Sequence, residues 1–182
     1  TTLTPYDSVK YYKSFLQVGV MAVEPYTGYV RAWVGGPNFE YFKYDHCNIN
    51  TKRQVGSTFK PIVYALAVDN GWSPCMVIAP GQVRIGNWAP RGGSGGPQTL
   101  IQALKTSNNQ MAAYITKQFG VNPIIDLSRR LFISSDLPPY APICLGASDI
   151  SLEEMMAAYS VFPSAGICTK PQYILRIEDK DG

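Results

Sequence analysis

"RQVGSTFKPIVYALAVDNGW", residues 53–72, decides how this chain is read. Pro61 carries no amide proton, which is harmless only in the first turn of a helix, where the amides have no acceptor behind them. A helix therefore begins near Ser57, entered from the flexible Gly56, and ends at Asn70-Gly71 as a left-handed C-cap. Its residues Phe59, Ile62, Val63, Tyr64, Ala65 and Leu66 are apolar enough to require burial. Ser57 sits at the positive end of the helix dipole, and Lys60 lies one turn on, on the same face. A serine needs a base beside it to act as a nucleophile, and a desolvated lysine holds a neutral fraction that can serve. Taken alone, a Ser-x-x-Lys spacing arises on the order of once by chance in a chain of this size. On the pair alone, capping by Ser57 with a snorkelling Lys60 is the better explanation.

The rest of the chain narrows the choice. Its 182 residues, 46% hydrophobic and 16% charged, are those of a globular domain. The net charge of +3 comes from scattered pairs such as Lys52-Arg53 and Arg129-Arg130, which argues against nucleic acid as a partner. A single histidine, His46, makes a Ser-His-Asp triad hard to assemble. Cys47, Cys75, Cys144 and Cys168 lack the close pairing of a zinc site and read as buried thiols, so neither metal nor cofactor is expected. No apolar run reaches the length of a membrane span, and the opening residues are polar and amphipathic rather than signal-like.

Around the central helix the pattern alternates between short strands and helices. "TPYDSVKYYKSFLQ" reads as a leading helix capped by Asp7 or Ser8, with Val9, Tyr12, Phe15 and Leu16 on one face. "VGVMAVEPYTGYVRAWVGG" reads as a β-hairpin turning at Pro25 and Gly28, in a sheet covered on at least one face. Residues 37–52 and 72–98 are irregular, and the "GGSGG" of 92–96 is expected to be flexible. Residues 99–120 predict two helices parted by Ser107-Asn108-Asn109, since Ser and Asn favour caps over interiors. Another helix follows Asn122 as its cap with Pro123 at its first position. Ser151 and Glu154 have capping-box spacing for a further helix. "KPQYILRIEDKDG" alternates like a strand running into a hairpin turn at its last residues. The expected class is α+β, helices packed with a largely antiparallel sheet.

"STFK" (57–60) and "SNN" (107–109) resemble two of the three motifs of penicillin-binding proteins and serine β-lactamases. The stretches "AVEPYTGYVRAWVGGPNF", "KRQVGSTFKPIVYALAVDNG", "TLIQALKTSNNQMAAYI", "LPPYAPICLGASDISLEEMMAAYSVFPSAGI" and "PQYILRIEDKDG" are similar, in order, to the transpeptidase domain of class A penicillin-binding proteins, the bifunctional peptidoglycan synthases. This resemblance implies an incomplete transpeptidase/β-lactamase-like fold, with residues 1–15 as a linker and 16–182 as a partial transpeptidase domain. It implies a serine acyl-enzyme made from D-Ala-D-Ala stem peptides, passed to a neighbouring amine as a crosslink, and acylation by β-lactams. Ser57 would be the nucleophile, Lys60 the base, Ser107 the proton shuttle, and Asn109 the substrate-positioning amide.

The third motif, Lys-Thr-Gly, does not occur in the sequence; the resemblance implies that it lies downstream, and leaves this segment expected to be inactive alone. A glycosyltransferase domain is expected upstream. The resemblance also implies a location at the extracytoplasmic face of the bacterial envelope, with an anchor outside this chain. Alternative readings are a β-lactamase or β-lactam-sensor domain of the same fold, and a non-catalytic peptidoglycan-binding remnant.

Overall fold

The computed structural model describes residues 3–180. Its centre is the helix predicted to begin near Ser57, whose α-helical part starts three residues later. A 3-10 turn spans Gly56–Phe59 and passes directly into an α-helix, Lys60–Asp69, with Pro61 in its first turn and Asn70 at its C-cap. Gly71 takes the left-handed conformation, with φ of +89°. Phe59, Ile62, Val63 and Ala67 are fully buried.

In chain order the helices are α1 (Pro5–Lys13), α2 (Lys60–Asp69), α3 (Leu100–Lys105), α4 (Asn109–Phe119), α5 (Asn122–Arg130) and α6 (Leu152–Ser160). The strands are β1 (Val20–Val23), β2 (Val30–Val34), β3 (Lys52–Gln54), β4 (Val77–Ile78), β5 (Gln98–Thr99) and β6 (Asp149–Ser151). They pair as three small antiparallel sheets, β1 with β2, β3 with β6 and β4 with β5. The fold is thus mixed α+β. α2 packs against α3, α4, α5 and a second 3-10 turn, Ala141–Leu145. Met111, Ile115, Ile124 and Ile143 meet it in one continuous core. Each such side chain contributes roughly 1.5–3 kcal/mol by leaving water.

The β1–β2 hairpin has the predicted turn, and Met21 is the one buried residue of its two strands, with Val20 and Val34 about half exposed. Both predicted helices around Ser107-Asn108-Asn109 form. So does the capping box of Ser151 and Glu154.

Four local expectations are corrected. α1 is capped by Thr4, whose hydroxyl accepts from the Asp7 N–H, because Asp7 and Ser8 already lie inside the helix that Pro5 begins. The Val9, Tyr12, Phe15 and Leu16 stripe is exposed, with Tyr12 and Phe15 leaning on the ring of Phe42. α5 starts at Asn122 itself, after a Val121 that is already helical, so the Asn122 side chain does not cap it. Cys75 is exposed in a loop, unlike the buried Cys47 and Cys144 and the half-buried Cys168.

Residues 171–180 form no named strand. Gln172 makes an isolated parallel bridge to Tyr29, and Ile174, Leu175 and Ile177 stand exposed. Alternation alone does not make a strand; a neighbouring ladder must take up its amides and carbonyls. The last two residues of the predicted "DKDG" turn lie outside the described residues.

Candidate active site

Three pieces of chain meet at Lys60. The first is the turn Gly56–Phe59, which carries Ser57. A 3-10 turn stacks residues three apart on one side, so Ser57 and Lys60 share a face, and the Lys60 N–H donates to the Ser57 carbonyl. Ser57 is exposed and Lys60 is 1% exposed.

The turn is held from behind. β3 runs into it and is laddered to β6 through Lys52–Ser151, Arg53–Ile150 and Gln54–Asp149. The Val55 N–H donates to the Ser148 carbonyl at 3.3 Å, and the Gly56 N–H to the Gly146 carbonyl at 2.9 Å. Gly146 has φ of +72°, and a Cβ there would collide with the Gly56 backbone. No other residue type fits that approach.

The second piece is the break between α3 and α4. Ser107 adopts φ of +54°, a left-handed conformation that a non-glycine residue holds at some cost. That conformation lets both its oxygens meet one amine. Lys60 Nζ donates to the Ser107 carbonyl at 2.5 Å and contacts Ser107 Oγ at 2.9 Å. A third bond goes to Asn109 Oδ1 at 2.6 Å. The middle residue of "SNN" has a different task. Asn108 is buried, and its Oδ1 caps α4 by accepting from the Gln110 and Met111 amides.

The third piece is the glycine-rich strand of chain expected to be flexible. It is strapped across the start of α4. Asn109 Nδ2 donates to the Arg91 carbonyl at 2.7 Å, Asn108 Nδ2 to the Ser94 carbonyl at 2.9 Å, and Gln110 Nε2 to the Gly92 carbonyl at 3.2 Å. Asn109 thus faces Lys60 with its oxygen and the strap with its amide. Gly93 explains the composition: a Cβ there would lie 2.6 Å from Asn108 Oδ1 and 2.9 Å from the Asn109 nitrogen. Gly93→Ala should push the strap off Asn109 and slow modification of Ser57 by about tenfold, measured as a labelling rate with a serine-directed probe.

The electrostatics suit a lysine that works as a base. Burial pushes the Lys60 amine below the ordinary lysine range, with the nearby Cys144 opposing. A neutral amine has two N–H groups and one lone pair. Its two N–H groups match the two pure acceptors, the Ser107 carbonyl and Asn109 Oδ1. The lone pair is left for a hydroxyl, that of Ser107 or of Ser57. Among the described residues no hydrogen bond joins the Ser57 hydroxyl to Lys60. Burial pushes the Cys144 thiol up to about 11, so Cys144 is no rival nucleophile near neutral pH.

Sequence reasoning missed Gln110, which is buried and ties α4 to Val83 as well as to the strap. It also missed Tyr159, whose hydroxyl donates to the Thr58 carbonyl at 2.6 Å. Neither has a local signal, because both act across long sequence separations. A cavity of about 800 Å³, lined by Tyr64, Leu104, Leu127 and Phe162 among others, includes none of Ser57, Lys60, Ser107 or Asn109.

Residues 18–182 match the penicillin binding protein transpeptidase domain. The chain belongs to that family. It is 34% identical to penicillin-binding protein 1A of Neisseria meningitidis over 178 residues, 92% of this chain and 22% of the relative. Penicillin-binding protein 1A of Haemophilus influenzae superposes with a TM-score of 0.81 at 25% identity, covering 91% of this chain and 26% of that one. PonA1 of Mycobacterium tuberculosis, solved in complex with penicillin V, superposes with a TM-score of 0.73 at 23% identity, covering 90% of this chain and 48% of that one. This transpeptidase segment spans about a fifth of the length of the curated relatives it matches.

Proposed function

We propose that this segment carries the nucleophile, base and proton shuttle of a peptidoglycan D,D-transpeptidase. The reading rests on one observation above all: Lys60, buried and depressed in pKa, is bonded at once to both oxygens of Ser107 and to Asn109, one turn from Ser57.

In this reaction Ser57 Oγ attacks the carbonyl of the penultimate D-alanine as its proton passes to Lys60 Nζ. The backbone N–H of Ser57 supplies one donor to the developing oxyanion. The C–N bond to the terminal D-alanine then breaks, and the proton on Lys60 travels through Ser107 Oγ to the leaving amine. Asn109 positions the substrate backbone. An amine from a neighbouring stem peptide attacks the ester, gives its proton back along the same path, and releases Ser57 with a crosslink formed. β-Lactams acylate Ser57 by the same first step, and opening of their ring retains the leaving amine in the site. Penicillin V in the PonA1 complex supports this part of the reading.

Residues 16–182 form the partial transpeptidase domain and 1–15 its approach. The Lys-Thr-Gly strand and a glycosyltransferase domain come from the remainder of the protein, at the extracytoplasmic face of the cell envelope. The segment alone, without that strand, is inactive.

The test is to treat the full-length protein with a fluorescent penicillin and map the label by mass spectrometry. A slowly hydrolysed adduct on Ser57 is expected. A label on another residue, or none, sinks the assignment, and rapid loss of the adduct would make the protein a β-lactamase instead.

A further inference from the structure

Pro61 creates a gap in the turn that carries Ser57. In a 3-10 turn each carbonyl receives the N–H three residues on. The Ser57 carbonyl has its partner in Lys60. The next carbonyl, that of Thr58, faces position 61, and proline has no N–H to give. The turn's own ladder therefore fails at the Thr58–Phe59 peptide, one residue past the one that directly follows Ser57.

The missing donor comes from 101 residues away, where the Tyr159 phenol donates to the Thr58 carbonyl at 2.6 Å. Its geometry is set by its surroundings. Tyr159 sits on α6, which begins at the capping box of Ser151 and Glu154, and its ring packs edge-on against Phe162 at 5.6 Å. Thr58 is fixed from its other end as well, its hydroxyl donating to the Val55 carbonyl at 2.7 Å. Burial raises the Tyr159 pKa, so the phenol keeps its proton at physiological pH.

The geometry points to Tyr159 as a positioning residue for Ser57: its phenol substitutes for the amide that Pro61 lacks and fixes the Thr58–Phe59 peptide of the turn that carries the nucleophile. This rests on the reading of Ser57 as the acylated serine. Without that bond the Thr58–Phe59 peptide rocks within the turn, and the placement of the Ser57 hydroxyl one residue before it loosens with it. Ligand binding in the cleft is left alone, because Tyr159 donates to backbone behind Ser57 and to no substrate-facing group.

The experiment compares the full-length protein with its Tyr159→Phe variant, which keeps the ring and removes only the hydroxyl. Acylation by a fluorescent penicillin, followed over a concentration series, separates the limiting rate from the apparent dissociation constant. The limiting rate should fall about tenfold with the dissociation constant unchanged. Adding Pro61→Ala to the same variant returns an N–H beneath the Thr58 carbonyl and should recover much of the lost rate. An unaltered limiting rate in Tyr159→Phe overturns the inference, as does a loss that tracks a lowered Tm and is not relieved by Pro61→Ala. Wild-type protein that takes no label on Ser57 overturns the nucleophile assignment and this inference with it. Labelled wild type with an unaffected Tyr159→Phe overturns this inference alone.

Discussion

Lys60→Ala lowers the rate of Ser57 acylation by about 10²- to 10⁴-fold, the range a positioned general base contributes, while the protein stays folded. The wild-type rate has a pH dependence that follows from burial of the amine. Burial disfavours the ammonium, so the folded pKa lies below that of an ordinary lysine. With the neutral amine as the proposed base, activity is expected above the folded pKa and is lost as pH falls through it. The rate should level off at a lower pH than a solvent-exposed lysine would allow. Lys60→Arg separates this role from a purely electrostatic one. Arginine retains the charge and hydrogen-bond donors but does not deprotonate in proteins, so it should be nearly as slow as alanine. Stopped-flow labelling across pH, with Tm recorded for each variant, makes the check. An arginine variant that acylates at the wild-type rate would remove Lys60 from the base role.

The second large effect is on stability. Glu154 is 2% exposed and collects an unusual set of donors. Its Oε1 accepts from the N–H and hydroxyl of Ser134 and from the Ser135 N–H; its Oε2 accepts from the Ser135 hydroxyl and from the N–H and hydroxyl of Ser151. Burial by itself would raise the carboxyl pKa. The hydrogen bonds from Ser135, Ser151 and Ser134 outweigh it and bring it down to about 2, from 4.5.

A folded pKa below the unfolded one means that the stabilisation is fully present above about pH 4.5 and lost as pH falls toward 2. The difference corresponds to about 3 kcal/mol. Glu154→Ala also strands three backbone amides, so it should cost at least about 3 kcal/mol, and the transpeptidase segment should melt on the order of 10 °C lower. Thermal unfolding of the full-length variant at pH 7 and pH 3 tests both parts. The wild type should lose ground to the variant at the lower pH. A variant gap that does not narrow on acidification would mean the carboxylate's charge is not what matters.

Much of this was legible residue by residue. Pro61 and Asn70-Gly71 bracket the central helix through backbone chemistry that operates within one turn. Ser151 and Glu154 announce a capping box for the same reason. Ser107-Asn108-Asn109 announced a break between helices because these residues prefer caps, and the motif resemblance nominated Ser107 and Asn109. The errors were local competitions between equally suited neighbours: Thr4 against Asp7 at α1, and a helical Val121 that moved the start of α5 ahead of the Asn122 cap. The "GGSGG" segment was misread because glycine permits flexibility and close approach alike. Only the packing of Gly93 against Asn108 and Asn109 shows which one applies.

The sequence by itself determined the family resemblance, the central helix and the residues eligible for chemistry, since these depend on residue type and short spacing. The tertiary structure decided what those residues face. It turned the Lys60 amine toward Ser107 and Asn109, 47 and 49 residues away, assigned Asn108 to the cap, and brought Tyr159 to the carbonyl that Pro61 leaves without a donor. The physical reason is that desolvation and hydrogen-bond satisfaction are properties of an enclosed volume. Its walls come from segments that sequence spacing does not connect.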